Sequence, residues 1–157
     1  MFISPSLKKR GFTLVELIVI LAIIALLVLI VTSSFKNLYT YQVFDKAVLS
    51  VYSQIENART NTINSKNISQ YGIHVTSTST TLFQGETYTP GVSTNIVNNL
   101  PKNVTISTIS IAGGGSNFYF NLLSGEPNAT ATLVFSQSGS TSTKSIYVYG
   151  SGLIDTQ

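Results

Sequence analysis

From Leu17 to Val31 the chain has no charged or strongly polar side chain, and from Phe12 to Lys66 it has neither proline nor glycine. Few folds accept such a stretch. A helix of about 20 residues from Phe12 to Val31, rising about 1.5 Å per residue, reaches roughly 30 Å, the thickness of a bilayer's hydrocarbon core. Lys8, Lys9 and Arg10 stand just before it. Cations on the N-terminal flank hold that side in the cytoplasm and leave the rest to be translocated. A cleaved secretory signal would have a shorter apolar core followed by a small-x-small site, and Val31-Thr32-Ser33-Ser34 is a poor one. The expectation is a single span over 12–31 that stays with the mature chain.

Glu16 fits that span badly. A carboxylate near the end of a membrane helix costs about 2–3 kcal/mol on insertion scales, so it should be paired or turned toward protein. It could be a tolerated interfacial charge. Alternatively, a cut after Gly11 would create an α-amino group on Phe12, four residues before Glu16 and close to one helical turn away. In an assembly that amine could meet the Glu16 of a neighbouring chain, and neutralisation inside an apolar bundle would favour one docking register. Glycine at position 11 suits a cut at a membrane surface, because it lets a protease approach the backbone closely.

The order Lys8-Lys9-Arg10-Gly11-Phe12-Thr13-Leu14-Val15-Glu16, followed without a gap by LIVILAIIALL, resembles the class III signal of bacterial type IV prepilins and type II secretion pseudopilins. The resemblance implies cleavage by a prepilin peptidase between Gly11 and Phe12, N-methylation of Phe12, and subunit docking through Glu16. It implies Lys8, Lys9 and Arg10 as the topology-setting part of a leader over 1–11. The implied partners are other pilins or pseudopilins, an inner-membrane platform protein, an assembly ATPase and inner-membrane lipid. The implied place is the bacterial inner membrane, crossed once with the C-terminal domain outside the cytoplasm, and a filament after assembly.

Past the membrane run, Phe44, Val48, Val51, Ile55, Ala58 and Thr62 recur at steps of three and four, one mostly apolar stripe with Asp45, Lys46, Glu56 and Arg59 beside it. The helix is therefore expected to continue over 32–66 as an amphipathic half whose stripe faces a sheet. From about 67 onward the pattern changes to short runs rich in Val, Ile, Thr, Tyr and Phe, at 70–76, 80–84, 103–111, 117–122, 131–136 and 144–149. Glycines at 85, 91, 113–115, 125 and 139 separate them. The fold class is α+β, with a long N-terminal helix against an antiparallel β-rich domain over 67–157.

Weaker similarities point to the H-type minor pseudopilins and related minor pilins. They are carried by Ala58-Arg59, Tyr71-Gly72-Ile73-His74-Val75, Leu100-Pro101-Lys102-Asn103-Val104, Phe118-Tyr119-Phe120, Gly125-Glu126-Pro127 and the closing 146–154. That resemblance implies two antiparallel sheets on the helix.

The net charge of +3 arises before Gly11; beyond it six cations face six acids. The basic footprint of a nucleic-acid binder is absent, and nucleic acid is not expected as a partner. With no cysteine, disulfides, thiolate metal sites and thiol catalysis are excluded. His74 is the only histidine, and neither G-x-S-x-G, a P-loop nor H-E-x-x-H occurs. Gly113-Gly114-Gly115 precedes a strand rather than a helix and reads as a turn. Glu126 and Asp155 could meet only through tertiary folding. No catalytic, cofactor or metal residue is expected, and the chain is read as a non-enzyme. The leading expectation is a structural subunit of a pseudopilus or pilus. The alternative is a competence or adhesion pilin that binds DNA or a surface, for which Lys102 and Lys144 are the obvious cations. A membrane-anchored enzyme using His74 is the weakest reading.

Overall fold

The computed structural model describes residues 11–157, apart from the side chains of 30–38. The expected leader cations Lys8, Lys9 and Arg10 lie outside the described residues. One helix, α1, runs Leu14–Ile63. Eight strands follow: β1 Tyr71–Val75, β2 Ser79–Gln84, β3 Ile96–Asn99, β4 Val104–Ile111, β5 Asn117–Tyr119, β6 Ala131–Gln137, β7 Thr143–Val148 and β8 Ile154–Thr156. Two compact units divide the chain, 1–41 and 42–157.

In the first unit the described large apolar side chains are all solvent-accessible, from 41% at Ile20 to 76% at Phe12. Among the described residues no helix is long and apolar enough to cross a membrane. The side chains of the apolar run are described only to Leu29, short of the Val31 at which the expected span ends.

In the second unit α1 buries one stripe, Phe44, Val48, Val51, Ile55, Ala58 and Thr62, the six positions that the sequence spacing selects. Two four-stranded antiparallel sheets complete the core, in the orders β3-β2-β1-β5 and β4-β6-β7-β8. Alternate residues point inward most cleanly in β6, as the two-residue period requires, whereas β2 is buried on both faces and β3 on neither. Ile73, Val75, Leu82, Phe118 and Phe120 come from the first sheet, and Val104, Ile106, Leu133, Phe135, Ile146 and Val148 from the second. The backbone N–H of Ile106 donates to the Ser77 carbonyl at 2.9 Å, tying the second sheet to the β1–β2 turn of the first.

Four details differ from the sequence expectation. α1 ends at Ile63, not near Lys66, and a 3-10 turn over Lys66–Ile68 follows. The Thr62 hydroxyl donates to the Ala58 carbonyl and accepts the Tyr71 N–H, both at 2.9 Å, so a buried hydroxyl joins the last helical turn to β1. β5 stops at Tyr119 because the chain turns at once: Gly125 N–H donates to Asn121 O at 3.0 Å and Asn121 N–H to Glu126 O at 2.8 Å. β3 and β8 form where no strand was expected.

Two glycines are fixed by close approach. Gly72 lies under the Phe83 ring, where a Cβ would also stand 2.6 Å from the Phe118 carbonyl oxygen. Gly152 has φ +81°, and a Cβ there would collide with the Gly125 carbonyl. The Arg59 Nε–H donates to that same carbonyl at 3.3 Å, so α1, the β5–β6 loop and the β7–β8 turn meet at one point.

Candidate functional site

The N-terminal residues Gly11, Phe12, Thr13 and Glu16 form the strongest candidate. Gly11–Thr13 have no regular structure, and α1 starts one residue later. Thr13 is the cap: its hydroxyl accepts the Glu16 backbone N–H at 3.3 Å, and its carbonyl accepts the Leu17 N–H at 3.2 Å. Thr13-x-x-Glu16 is thus half of a capping box, in which a threonine satisfies an otherwise orphaned helix N–H. Sequence reading missed this role for Thr13, although a threonine three residues before a glutamate and an apolar run is its standard signal.

The cap sharpens the reading of Glu16. Its carboxylate lies in the first helical turn, where the aligned peptide dipoles favour negative charge by about 0.3–1 kcal/mol. That falls short of the cost of carrying the charge into an apolar phase. Among the described residues no cation pairs with it; the single ion pair found is Lys144–Asp45. With the Gly11–Phe12 peptide bond intact, the Phe12 nitrogen is a neutral amide, and only a cut would turn it into a charged partner. A Cβ on Gly11 would meet nothing within 4 Å, so no packing among the described residues demands glycine there.

Other sequence candidates fare differently. The His74 ring stacks on Tyr88, with centroids 3.9 Å apart and planes 4° apart, while Phe83 meets Tyr88 edge-on. His74 Nδ1 is 3.4 Å from the Ser116 hydroxyl, and burial pushes its pKa below the ordinary 6.5. Among the described residues no carboxylate is hydrogen-bonded to this ring, as the orienting group of a general base would be. Lys144 is not a free loop cation: it sits in β7 and pairs with Asp45 of α1 at 2.8 Å. Lys102 is exposed in the β3–β4 connection. Among the described residues no three His, Asp or Glu side chains gather into a possible metal site, Glu126 and Asp155 included. Gly113, Gly114 and Gly115 all have positive φ in the β4–β5 turn.

Residues 6–32 match a family model described as the prokaryotic N-terminal methylation motif. The matched segment spans Gly11, Phe12 and Glu16, and it supports the type IV pilin and pseudopilin family. No curated protein and no solved structure matches the chain.

Proposed function

We propose that this chain, which carries the motif of the type IV pilin and pseudopilin family at its N-terminus, is a membrane-anchored structural subunit, a minor pseudopilin or minor pilin. A prepilin peptidase cuts between Gly11 and Phe12 and methylates the new amine of Phe12. The cut chain then begins one residue before a capped helix. Phe12 therefore carries its amine at the mouth of α1, one turn from Glu16. Other pilins or pseudopilins join the subunit in a filament, drawn from the inner membrane by a platform protein and an assembly ATPase.

The observation that carries this reading is the pairing of two features in one short segment: a glycine that no described residue crowds, and an acid without a cation partner among the described residues at the head of an exposed apolar helix. Soluble chains rarely leave a contiguous apolar surface of this extent uncovered. Lipid covers it before assembly and neighbouring subunits cover it after. The methylated amine neutralises a carboxylate whose removal from water would otherwise oppose the transfer. The Lys144–Asp45 pair weighs against the DNA-binding alternative, because it occupies one of the two cations that reading required.

Mass spectrometry of the chain from cells with and without the peptidase tests the first step. The mature species should begin at Phe12 and carry one added methyl group. In the second step, Glu16→Ala and Glu16→Gln should both be processed normally and yet fail to enter filaments. An uncut chain in peptidase-positive cells, or normal incorporation of both variants, overturns the reading.

A further inference from the structure

β3 is an edge strand of the first sheet. Leu100 N–H donates to Thr78 O at 2.9 Å, which makes that opposed pair a hydrogen-bonded one. The alternation of an antiparallel ladder then commits the backbone groups of Asn98 and Ile96 to β2, through the registers Thr80↔Asn98 and Leu82↔Ile96. Val97 is left with its N–H and C=O directed off the edge. Ile96 and Val97 are 62% and 55% exposed, an uncovered apolar edge of the kind proteins usually blunt with charge or proline.

Beside this edge runs a groove of about 570 Å³. Its far wall is a polar stripe of α1, Ser50, Ser53, Asn57 and Asn61, and Lys66 lies at one end. Gln54 holds the walls in place: its amide donates to Ile96 O at 2.7 Å, and its carbonyl accepts the Thr80 hydroxyl at 2.5 Å. Asn98 adds a bond to the Ser50 hydroxyl at 3.0 Å. Since Asn98 meets Ser50 and Ile96 meets Gln54, β3 runs opposite to α1 along the groove. The stripe from Ser50 to Asn61 is roughly 16 Å long at the helical rise, which matches about five residues of extended strand.

We infer that this groove receives an extended peptide segment of another protein, added antiparallel to β3 as a fifth strand, with a carboxylate at its C-terminal end against Lys66. Val97 supplies the ladder hydrogen bonds. The side-chain amides of Asn57 and Asn61 face the strand's other edge. Antiparallel pairing makes the peptide run in the direction of α1, so its C-terminal end arrives at Lys66, the one charge in a neutral groove. That carboxylate is either a chain terminus or an acidic side chain. Strand addition of this sort draws affinity from the main chain and selectivity from the residues beside it. The inference does not depend on processing at Gly11.

The test is affinity selection of a random hexapeptide pool, half with free and half with amidated C-termini, on the full-length chain in detergent micelles. Enriched peptides should be rich in β-formers and should either end in a free carboxylate or carry Asp or Glu near the C-terminus; the amidated half separates these two sources. Val97→Pro removes the outward N–H at an edge where proline is tolerated, and should weaken binding at least about tenfold. Lys66→Gln should weaken it about threefold, as an exposed ion pair does. Methylating alternate backbone nitrogens of a selected peptide should abolish binding with the protein left untouched, which covers the case in which Val97→Pro misfolds. An absence of enrichment, equal binding of methylated peptides, or indifference to Lys66→Gln overturns the inference. So does self-association of the full chain that Val97→Pro abolishes, since a second copy would then be the occupant.

Discussion

The two halves of α1 share a backbone conformation and differ in almost everything else. Between Phe12 and Leu29 apolar residues occupy every face and all remain exposed; between Gln42 and Ile63 most of them gather on one buried stripe, with Leu49 the exposed exception. Uniform greasiness is a poor way to address a sheet, because no orientation about the helix axis is preferred. A three-four stripe fixes the rotation and lets polar residues such as Ser50, Ser53 and Asn57 face water. The first half thus offers no face that singles out one neighbour, and the second offers one face to one folded sheet layer.

The sharpest way to break that contrast is to make the same change in both halves. Phe44→Ala should cost the domain about 3–5 kcal/mol, since the ring is fully buried and its loss leaves a cavity. Ile24→Ala, at an exposed position in the first half, should leave the thermal transition of the full chain in detergent unchanged. Equal effects would mean that the two halves are not energetically distinct.

A second prediction concerns the sheet that covers the stripe. Gly72→Ala would press a methyl group between the Phe83 ring and the Phe118 carbonyl. Overpacking of this kind costs about 1–3 kcal/mol, and here the carbonyl belongs to β5 and cannot yield without breaking a ladder. Gly150→Ala is the control, because its Cβ meets only a Thr130 methyl at 3.8 Å. Denaturant unfolding should separate the two variants clearly.

The head of the apolar half offers a smaller effect. Thr13→Ala removes the side-chain acceptor of the Glu16 N–H, and losing an N-cap costs about 0.5–2 kcal/mol of helix stability. Amide exchange at Leu14–Leu17 should quicken in Thr13→Ala and stay slow in Thr13→Ser, with no change in the amides of 44–62. A uniform change along α1 would erase the distinction between its halves.

The contrast within α1 was legible in the sequence because hydrophobic periodicity reports directly on surroundings. All six stripe residues from Phe44 to Thr62 are buried. The segment around Gly11, Phe12 and Glu16 was legible for a different reason: a contiguous motif survives without knowledge of the fold. What was missed depends on tertiary partners. Ile96–Asn99 contains two asparagines, which disfavour strands, yet it pairs with β2 because Gln54 and Ser50 of α1 brace its residues from the side. The end of α1 was placed late because no glycine marks it; Ser65, Asn67 and Ile68 instead enter the left-handed region themselves. Lys144 looked free because its partner, Asp45, is far away in sequence. The cap at Thr13 was readable from its spacing to Glu16, but both sequence readings of Glu16, a tolerated interfacial charge or one paired with a cation, concern its carboxylate and not its backbone N–H.

The smallest expected effect is a pH dependence confined to the β-rich domain. His74 is packed against Tyr88 and partly withdrawn from water, which penalises the charged imidazolium and lowers its pKa below 6.5. The unfolded chain therefore binds a proton more readily than the folded one between the lowered value and 6.5. Stability from the neutral ring is complete above that window and is lost as pH falls through it. The ring stacks on Tyr88, meets the Ser116 hydroxyl and stands across the ladder from Thr81 and Asn117. In His74→Gln the slope of unfolding free energy against pH just below 6.5 should flatten, while the apolar half of α1, which holds no histidine, contributes nothing to it in either chain. A slope that persists unchanged in His74→Gln would exclude the His74 ring as its origin.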